Sequence, residues 1–328
     1  MNLGNPNLII CPLKDQVPVV LSIYAYSFNQ PLPSSDEILF CSIKTTSENV
    51  ENFLRIALNS NGNKIYTILN IQELTYSNSE SIERFLTTNP QAGGHSNYNL
   101  VCICSQEMHG ESKLATSIAS FRVTPIVLPI KNIRDYLMSH FVDQKNQNNS
   151  SFLPFYDFEK SSVRALISKN PGNGKSSYVN SFINKVSRKC QFNYECIRIK
   201  KTCLDPDKEF AKLLNHKTQH PTLFHIDIAF ETFHNVDLFL FNLLVVGELK
   251  HSNGLVWRRK SCDLYFIEIM PPFLSGPNDV SFHSMLNYLP HVYFRTPRLY
   301  LYDLVNSNDT KKRMIQDNHF EHQFLGEF

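Results

Sequence analysis

The stretch Leu166 to Asn180, reading LISKNPGNGKSSYVN, constrains the fold more than any other part of this chain. An apolar run (Val163, Ala165, Leu166, Ile167) leads into a loop of Asn170, Pro171, Gly172, Asn173 and Gly174, and Lys175, Ser176 and Ser177 follow. Tyr178, Val179, Phe182, Ile183 and Val186 then recur at the three- and four-residue spacing of one helix face. Strand, glycine loop, helix is the context that a phosphate-binding loop requires. Glycines let backbone N–H groups converge on phosphate oxygens, and the helix N-terminus adds unpaired donors and a favourable dipole end. In that reading residues 170–177 bind nucleotide, Lys175 reaches the outer phosphates and the Ser176 hydroxyl ligates magnesium.

The match to G-x-x-x-x-G-K-[ST], the Walker A pattern, is incomplete. Gly174, Lys175 and Ser176 fill the last three places, but Lys169 stands where the first glycine belongs, leaving Gly172 to relieve the tight part of the loop. An ordinary loop that happens to spell GKS is the bland alternative. The flanking strand and helix patterns favour nucleotide binding.

A phosphate loop needs an acidic residue at the end of a neighbouring strand to hold magnesium. TLFHID, residues 222–227, supplies Asp227 about fifty residues after Lys175. Ile228 follows where fast ATPases carry the glutamate that orients the attacking water. Without that base, a loss typically worth ~10²–10⁴ in rate, ATP is held and turned over slowly. Glu231 substitutes only if the strand ends early, and otherwise it opens a loop. Glu268 breaks the apolar run 263–270 and is either a sensor residue near the phosphates or a carboxylate paired with Arg258 or Arg259. Arg295 is the candidate arginine finger, or a surface arginine.

Alternating strand and helix patterns imply an α/β fold of two successive three-layer units with mainly parallel sheets, the second a P-loop NTPase. Expected boundaries are an extended N-terminal segment at 1–34 with a strand near Val19–Tyr26, a first unit at 35–142, a polar linker at 143–156, the P-loop unit at 157–300 and a tail at 301–328. In the first unit the periodicity predicts strands at Ile38–Ser42, Lys64–Leu69, Asn99–Ser105 and Thr124–Leu128, with helices at Thr46–Ala57, Ser81–Thr87, Glu111–Phe121 and Asn132–Phe141. In the second it predicts strands at Val163–Ser168, Glu195–Lys200, Thr222–Phe230, Asp263–Met270 and Val292–Arg295, with helices at Lys175–Arg188, Asp207–Leu214, Val236–Lys250 and Phe282–Leu289. If the units are copies, IKTTSE after the Ile38 strand stands where the phosphate loop should be, and the first unit has lost nucleotide binding.

A net charge of +2 gives no case for a nucleic-acid or membrane partner. The eight cysteines, without a C-x-x-C pair, read as buried thiols of a cytoplasmic protein with no transmembrane segment.

The stretches CSIKTTSENVENF, NLVCICSQE, LISKNPGNGKSSYV, FHIDIAFE, LFNLLVVGEL, GLVWRRKSCDLYFIEIMP and SMLNYLP occur in an order that resembles the mysterin family, giant AAA+ ATPases that are also RING-type E3 ubiquitin ligases. The resemblance covers most of residues 35–300 and implies an ATP-binding AAA+ module: a degenerate unit, then an AAA+ large subdomain with a truncated lid. ATP and magnesium are the implied cofactors. Neighbouring AAA+ units of the same longer chain, and the ubiquitin machinery through the parent protein, are the implied partners. A standalone P-loop phosphate-transfer enzyme is the alternative, although neither N-K-x-D nor an acceptor site is visible. A non-catalytic scaffold is the third reading.

Overall fold

The computed structural model describes residues 2–60, 64–88, 97–141, 161–168, 172–188, 191–200, 204–214, 220–229, 232, 235–251, 253–269 and 283–294. The expected linker at 143–156 and tail at 301–328 lie outside the described residues. The chain divides into two compact units, Met1–Tyr136 with Val245–Gly247 and Leu137–Leu244 with Glu248–Phe328, so that one break falls inside a helix between Tyr136 and Leu137.

The first unit opens with β1 (Pro6–Cys11) and α1 (Gln16–Ala25), so residues 1–34 are not the extended segment expected and Val19–Tyr26 is not a strand. The prolines stand where each element tolerates them. Pro6 is the first residue of β1, and Pro18 lies in the first turn of α1, where the N–H has no intrahelical partner anyway. Nine of the ten α1 residues are buried, so no polar stripe marks it as a helix. Then come β2 (Ile38–Phe40), α2 (Ser47–Leu58), β3 (Tyr66–Leu69), α3 (Tyr76–Thr88), β4 (Leu100–Ser105), α4 (Lys113–Ser117) and α5 (Ile130–His140). Thr46 caps α2 by accepting from the Asn49 N–H at 3.3 Å, and Val50, Phe53, Leu54 and Ala57 form the buried face.

Among the described residues the first sheet has four parallel strands in the order β1-β4-β3-β2. The strand expected at Thr124–Leu128 does not form. On that side of β1 there is one parallel bridge, Leu8 to Arg122, and one bond from the Val123 N–H to the Leu8 carbonyl at 2.8 Å. Pro125 and Pro129 lack the donors that a longer ladder would use. Leu8, Leu54, Ile68, Leu100 and Cys102 meet in the core. Burial pushes the Cys102 thiol up to about 12 and Cys104 up to about 11, so both are inert core thiols.

The second unit contains β5 (Val163–Ser168), α6 (Lys175–Ser187), β6 (Asn193–Ile199), α7 (Pro206–Leu214), β7 (Thr222–Ile228), α8 (Val236–Leu240), β8 (Glu248–Lys250), β9 (Val256–Arg258), β10 (Leu264–Ile269), α9 (Ser284–Tyr288) and β11 (His291–Phe294). Its main sheet runs β11-β5-β10-β7-β6, with every pair parallel. The single helix expected over Val236–Lys250 is instead α8, a π-helical turn at Phe241–Val246, and β8. Gly247, at φ +72°, ends the helical run in a conformation that β-branched neighbours resist. An antiparallel hairpin of β8 and β9 follows, with Leu249 opposite Trp257.

Both units are α/β with mainly parallel sheets. Each places its first strand beside its fourth, then the third, then the second. The second adds a fifth strand, β11, on the free side of its first. Among the described residues no helix is long and apolar enough to cross a membrane.

Candidate functional site

Helix α6 packs on one face of the second sheet. Tyr178, Val179, Phe182 and Val186 meet Leu166, Leu223, Leu264, Phe266 and Phe294. Edge-to-face rings fix the contact: Tyr178 to Phe294 at 5.6 Å and Phe182 to Phe266 at 5.1 Å between centroids. This packing holds the α6 N-terminus beside the carboxyl ends of β5, β7 and β10, the place where open α/β sheets bind ligands.

Gly172 and Gly174 adopt φ +76° and +88°, and a Cβ at either would meet nothing within 4 Å. The constraint is therefore backbone handedness, with open space above the loop. The first helical bond runs from the Tyr178 N–H to the Gly174 carbonyl at 2.9 Å. The N–H groups of Lys175, Ser176 and Ser177 thus have no intrahelical acceptor. Ser176 and Ser177 are exposed, and a long 3.5 Å contact ties the Asn173 amide to the Phe294 carbonyl.

Lys175 is buried. Its Nζ donates to Ser168 Oγ at 2.7 Å and lies 3.8 Å from Glu268 Oε1. Burial pulls its pKa down, while the Glu268 and Asp227 carboxylates oppose that shift. Glu268 also accepts from Ser176 Oγ at 3.3 Å and from His225 Nε2 at 2.9 Å. The other ring nitrogen of His225, Nδ1, is hydrogen-bonded with the Tyr194 hydroxyl, 3.0 Å away. Burial pushes the Glu268 carboxyl up, but the His225 hydrogen bond and the Lys175 ammonium outweigh it and hold the group below the usual carboxylate range. Burial, with Cys196 alongside, pushes Tyr194 up to about 12.

Asp227 is the register partner of Glu268 on the neighbouring strand, and its carboxylate lies 3.8 Å from Arg198 Nε. Ile228 points to the other sheet face and is 2% exposed. Strand β7 ends there, two residues before the Phe230 expected. The expected pairing of Glu268 with Arg258 or Arg259 is not what the structure contains. Arg258 binds Glu248 at 2.9 Å, and Arg259 donates to the Leu244 carbonyl at 2.7 Å and Ser162 Oγ at 2.6 Å. Asn170, Pro171, Glu231 and Arg295 lie outside the described residues.

His225, Ser168 and Tyr194 were not expected at the site. For His225 a signal was present: it sits two residues before Asp227, and the period of a strand puts both on one face. Ser168 and Tyr194 carry no such mark, because only the sheet order brings them near.

The first unit has a different loop at the corresponding place. The counterpart of β5 is β1, since each is bonded to the fourth strand of its unit, so the loop to compare follows Cys11 and not the Ile38 strand. IKTTSE, expected to be that counterpart, is a turn and the cap of α2. Only four residues, Pro12 to Asp15, separate β1 from α1, and no glycine is among them. The Leu13 N–H donates to the Glu107 carboxylate (3.3 and 3.4 Å to its two oxygens), which the Ser105 hydroxyl also binds.

The donors in the second unit fit a magnesium nucleotide. A left-handed glycine loop with space above it and a buried ammonium suit phosphates, and a hydroxyl with nearby carboxylates is a hard oxygen set suited to magnesium.

Two family models match the chain, both described as the RNF213 AAA domain, over residues 6–123 and 158–301. Zebrafish E3 ubiquitin-protein ligase rnf213-beta is 31% identical over 307 residues, which is 90% of this chain and 6% of that protein. Mouse E3 ubiquitin-protein ligase RNF213 is 33% identical over 277 residues, 81% of this chain and 5% of that protein. The human protein of the same name is 30% identical over 318 residues, 91% of this chain and 6% of its own length. The chain therefore spans about a twentieth of the curated relatives it matches. On two domain matches and this identity over most of its length, the chain belongs to the RNF213, or mysterin, family and carries two of its AAA domains.

Proposed function

We propose that the second unit binds Mg-ATP and turns it over slowly, as an AAA module of a large mysterin-like E3 ubiquitin ligase. The observation that carries this is the α6 N-terminus. Two left-handed glycines lead into Lys175 and Ser176, which both contact Glu268, the register partner of Asp227, at the carboxyl ends of β7 and β10. The first-turn N–H groups and the Lys175 ammonium bind phosphate oxygens. Ser176 and Asp227 hold magnesium, which, when bound, neutralises phosphate charge. Asn170, Pro171 and Ser177 complete the nucleotide loop, and Arg295 is the candidate finger toward a neighbouring unit.

Ile228, buried in the core, cannot orient water, so ATP serves mainly as a ligand that stabilises the fold. Bound ATP at a hundred times its dissociation constant contributes about 2.7 kcal/mol. Glu231 is the residue to test should turnover be fast. The first unit binds no nucleotide, because its loop is four residues without glycine and Glu107 takes the Leu13 donor. We place the chain in the cytoplasm, beside further AAA units and linked to the ubiquitin machinery by the protein it belongs to.

The test is an equilibrium titration of the chain with Mg-ATP, coupled to a phosphate-release assay. Saturable binding with turnover well below one per second is expected. Several turnovers per second, abolished by Glu231→Gln, would make Glu231 the base and overturn the binding-only reading. No binding would overturn the nucleotide site.

A further inference from the structure

We propose that Glu268 is a latch carboxylate that reserves the phosphate loop for the magnesium-loaded nucleotide. The proposal rests on the nucleotide reading above and adds a selectivity to it. Lys175 and Ser176, the two side chains meant for phosphate and magnesium, both contact one carboxylate, at 3.8 and 3.3 Å. That carboxylate comes from β10, ninety-two residues on from Ser176, and is only 13% exposed. It cannot swing away freely, since His225 holds it at 2.9 Å and Tyr194 holds His225 at 3.0 Å. His225 is itself 4% exposed, fixed in the middle of β7 between β6 and β10. The chain Tyr194, His225, Glu268 thus pins a negative charge within reach of the place where phosphates bind.

Two consequences follow from charge alone. In the nucleotide-free protein Glu268 and Ser168 supply the partners that keep a buried ammonium tolerable. A metal-free nucleoside triphosphate brings several negative charges toward a fixed carboxylate in a poorly screened setting, and is repelled. With magnesium the incoming charge is lower and the carboxylate faces a cation. Glu268 therefore penalises free ATP and tolerates Mg-ATP, while His225 and Tyr194 act as positioning residues that keep it aimed.

The experiment measures the ATP dissociation constant with magnesium and with EDTA, in the wild-type chain and in Glu268→Gln, which keeps the shape and removes the charge. The wild type should bind free ATP far more weakly than Mg-ATP. Glu268→Gln should narrow that gap by strengthening free-ATP binding about tenfold or more. His225→Phe, which releases the carboxylate, should narrow it less. A wild type that binds Mg-ATP, with a gap unchanged in Glu268→Gln, overturns the latch and leaves the nucleotide site standing. A second readout needs no nucleotide: acylation of Lys175 by a small amine-reactive reagent, followed by peptide mass spectrometry. Faster labelling in Glu268→Gln supports the latch, and an unchanged rate overturns it, whether or not ATP binds. No ATP binding with or without magnesium overturns the nucleotide reading, and the selectivity with it.

Discussion

The two units share a strand order and differ in what joins the first strand to the first helix. In the second unit the connection contains two left-handed glycines and delivers a lysine to a carboxylate on the fourth strand. In the first it is four residues long, and a carboxylate just past the fourth strand, Glu107, bonds the Leu13 N–H directly. Both solutions bring negative charge to the start of a helix. One does so through the Lys175 ammonium, the other by occupying a backbone donor. The lesson is that an α/β unit can change the connection after its first strand and keep its sheet, because the loop length is independent of the strand register.

The largest effect is expected at Ile228, which follows Asp227 and faces away from it. Ile228→Glu places a carboxylate at a position that is 2% exposed. It should cost about 3 kcal/mol or more of stability, seen as a lower denaturation midpoint, and should not create a fast ATPase. A stable variant with rapid turnover would mean that the end of β7 opens toward the loop.

Lys175→Ala should weaken ATP binding by roughly ten- to a hundredfold, the value of a charged hydrogen bond. Lys14→Ala, at the exposed lysine of the first unit's short connection, should leave affinity unchanged. Equal losses in both variants would break the contrast, because the first unit would then hold nucleotide too.

Next in size is Gly174→Ala. A residue with a Cβ at φ +88° costs about 1–2 kcal/mol, measurable by chemical denaturation. Space is not the obstacle, so Gly174→Asn should recover part of the loss. Equal behaviour of both variants would mean that the loop rearranges.

The smallest effect is a pH slope. The folded-state pKa of Glu268 lies below its ordinary 4.5. Its ionised contacts therefore stabilise the fold fully above 4.5 and are lost as pH falls through the lower folded value. Glu268→Gln should flatten the stability profile in that acidic window by lowering stability at neutral pH, where the ionised contacts are lost, toward its acid value. A profile that keeps the wild-type slope would show that other carboxylates carry it.

Much of this was legible in the sequence, and the misses share a cause. β5 was read to the residue, and α6 and the remaining strands of the second sheet to within one or two, because alternation and a glycine loop are local signals. α1 was missed because Val17, Val19 and Val20 look like a strand, and burial on nearly all sides erased the helical stripe. Gly247 stood in plain view as a helix stop, yet the apolar run around it read as one helix. At the site, Lys175, Ser176 and Asp227 follow from motif and spacing. The partner of Glu268 does not, since Arg258 and Arg259 are near in sequence while Lys175, Ser176 and His225 are near only once the sheet is ordered.

The strand order also dictates how the chain must be assembled. Leu8 lies beside Cys102 in the first sheet, and Val163 beside Tyr265 in the second. A ribosome releases β1 and the apolar α1 long before β4 exists to receive them, so these segments wait with oily surface uncovered. Non-local parallel pairing of this kind folds slowly and exposes intermediates to aggregation. For a chain of this family, chaperone capture of the segment from β1 to β4 during synthesis is the expected companion of a sheet whose first strand pairs with its fourth.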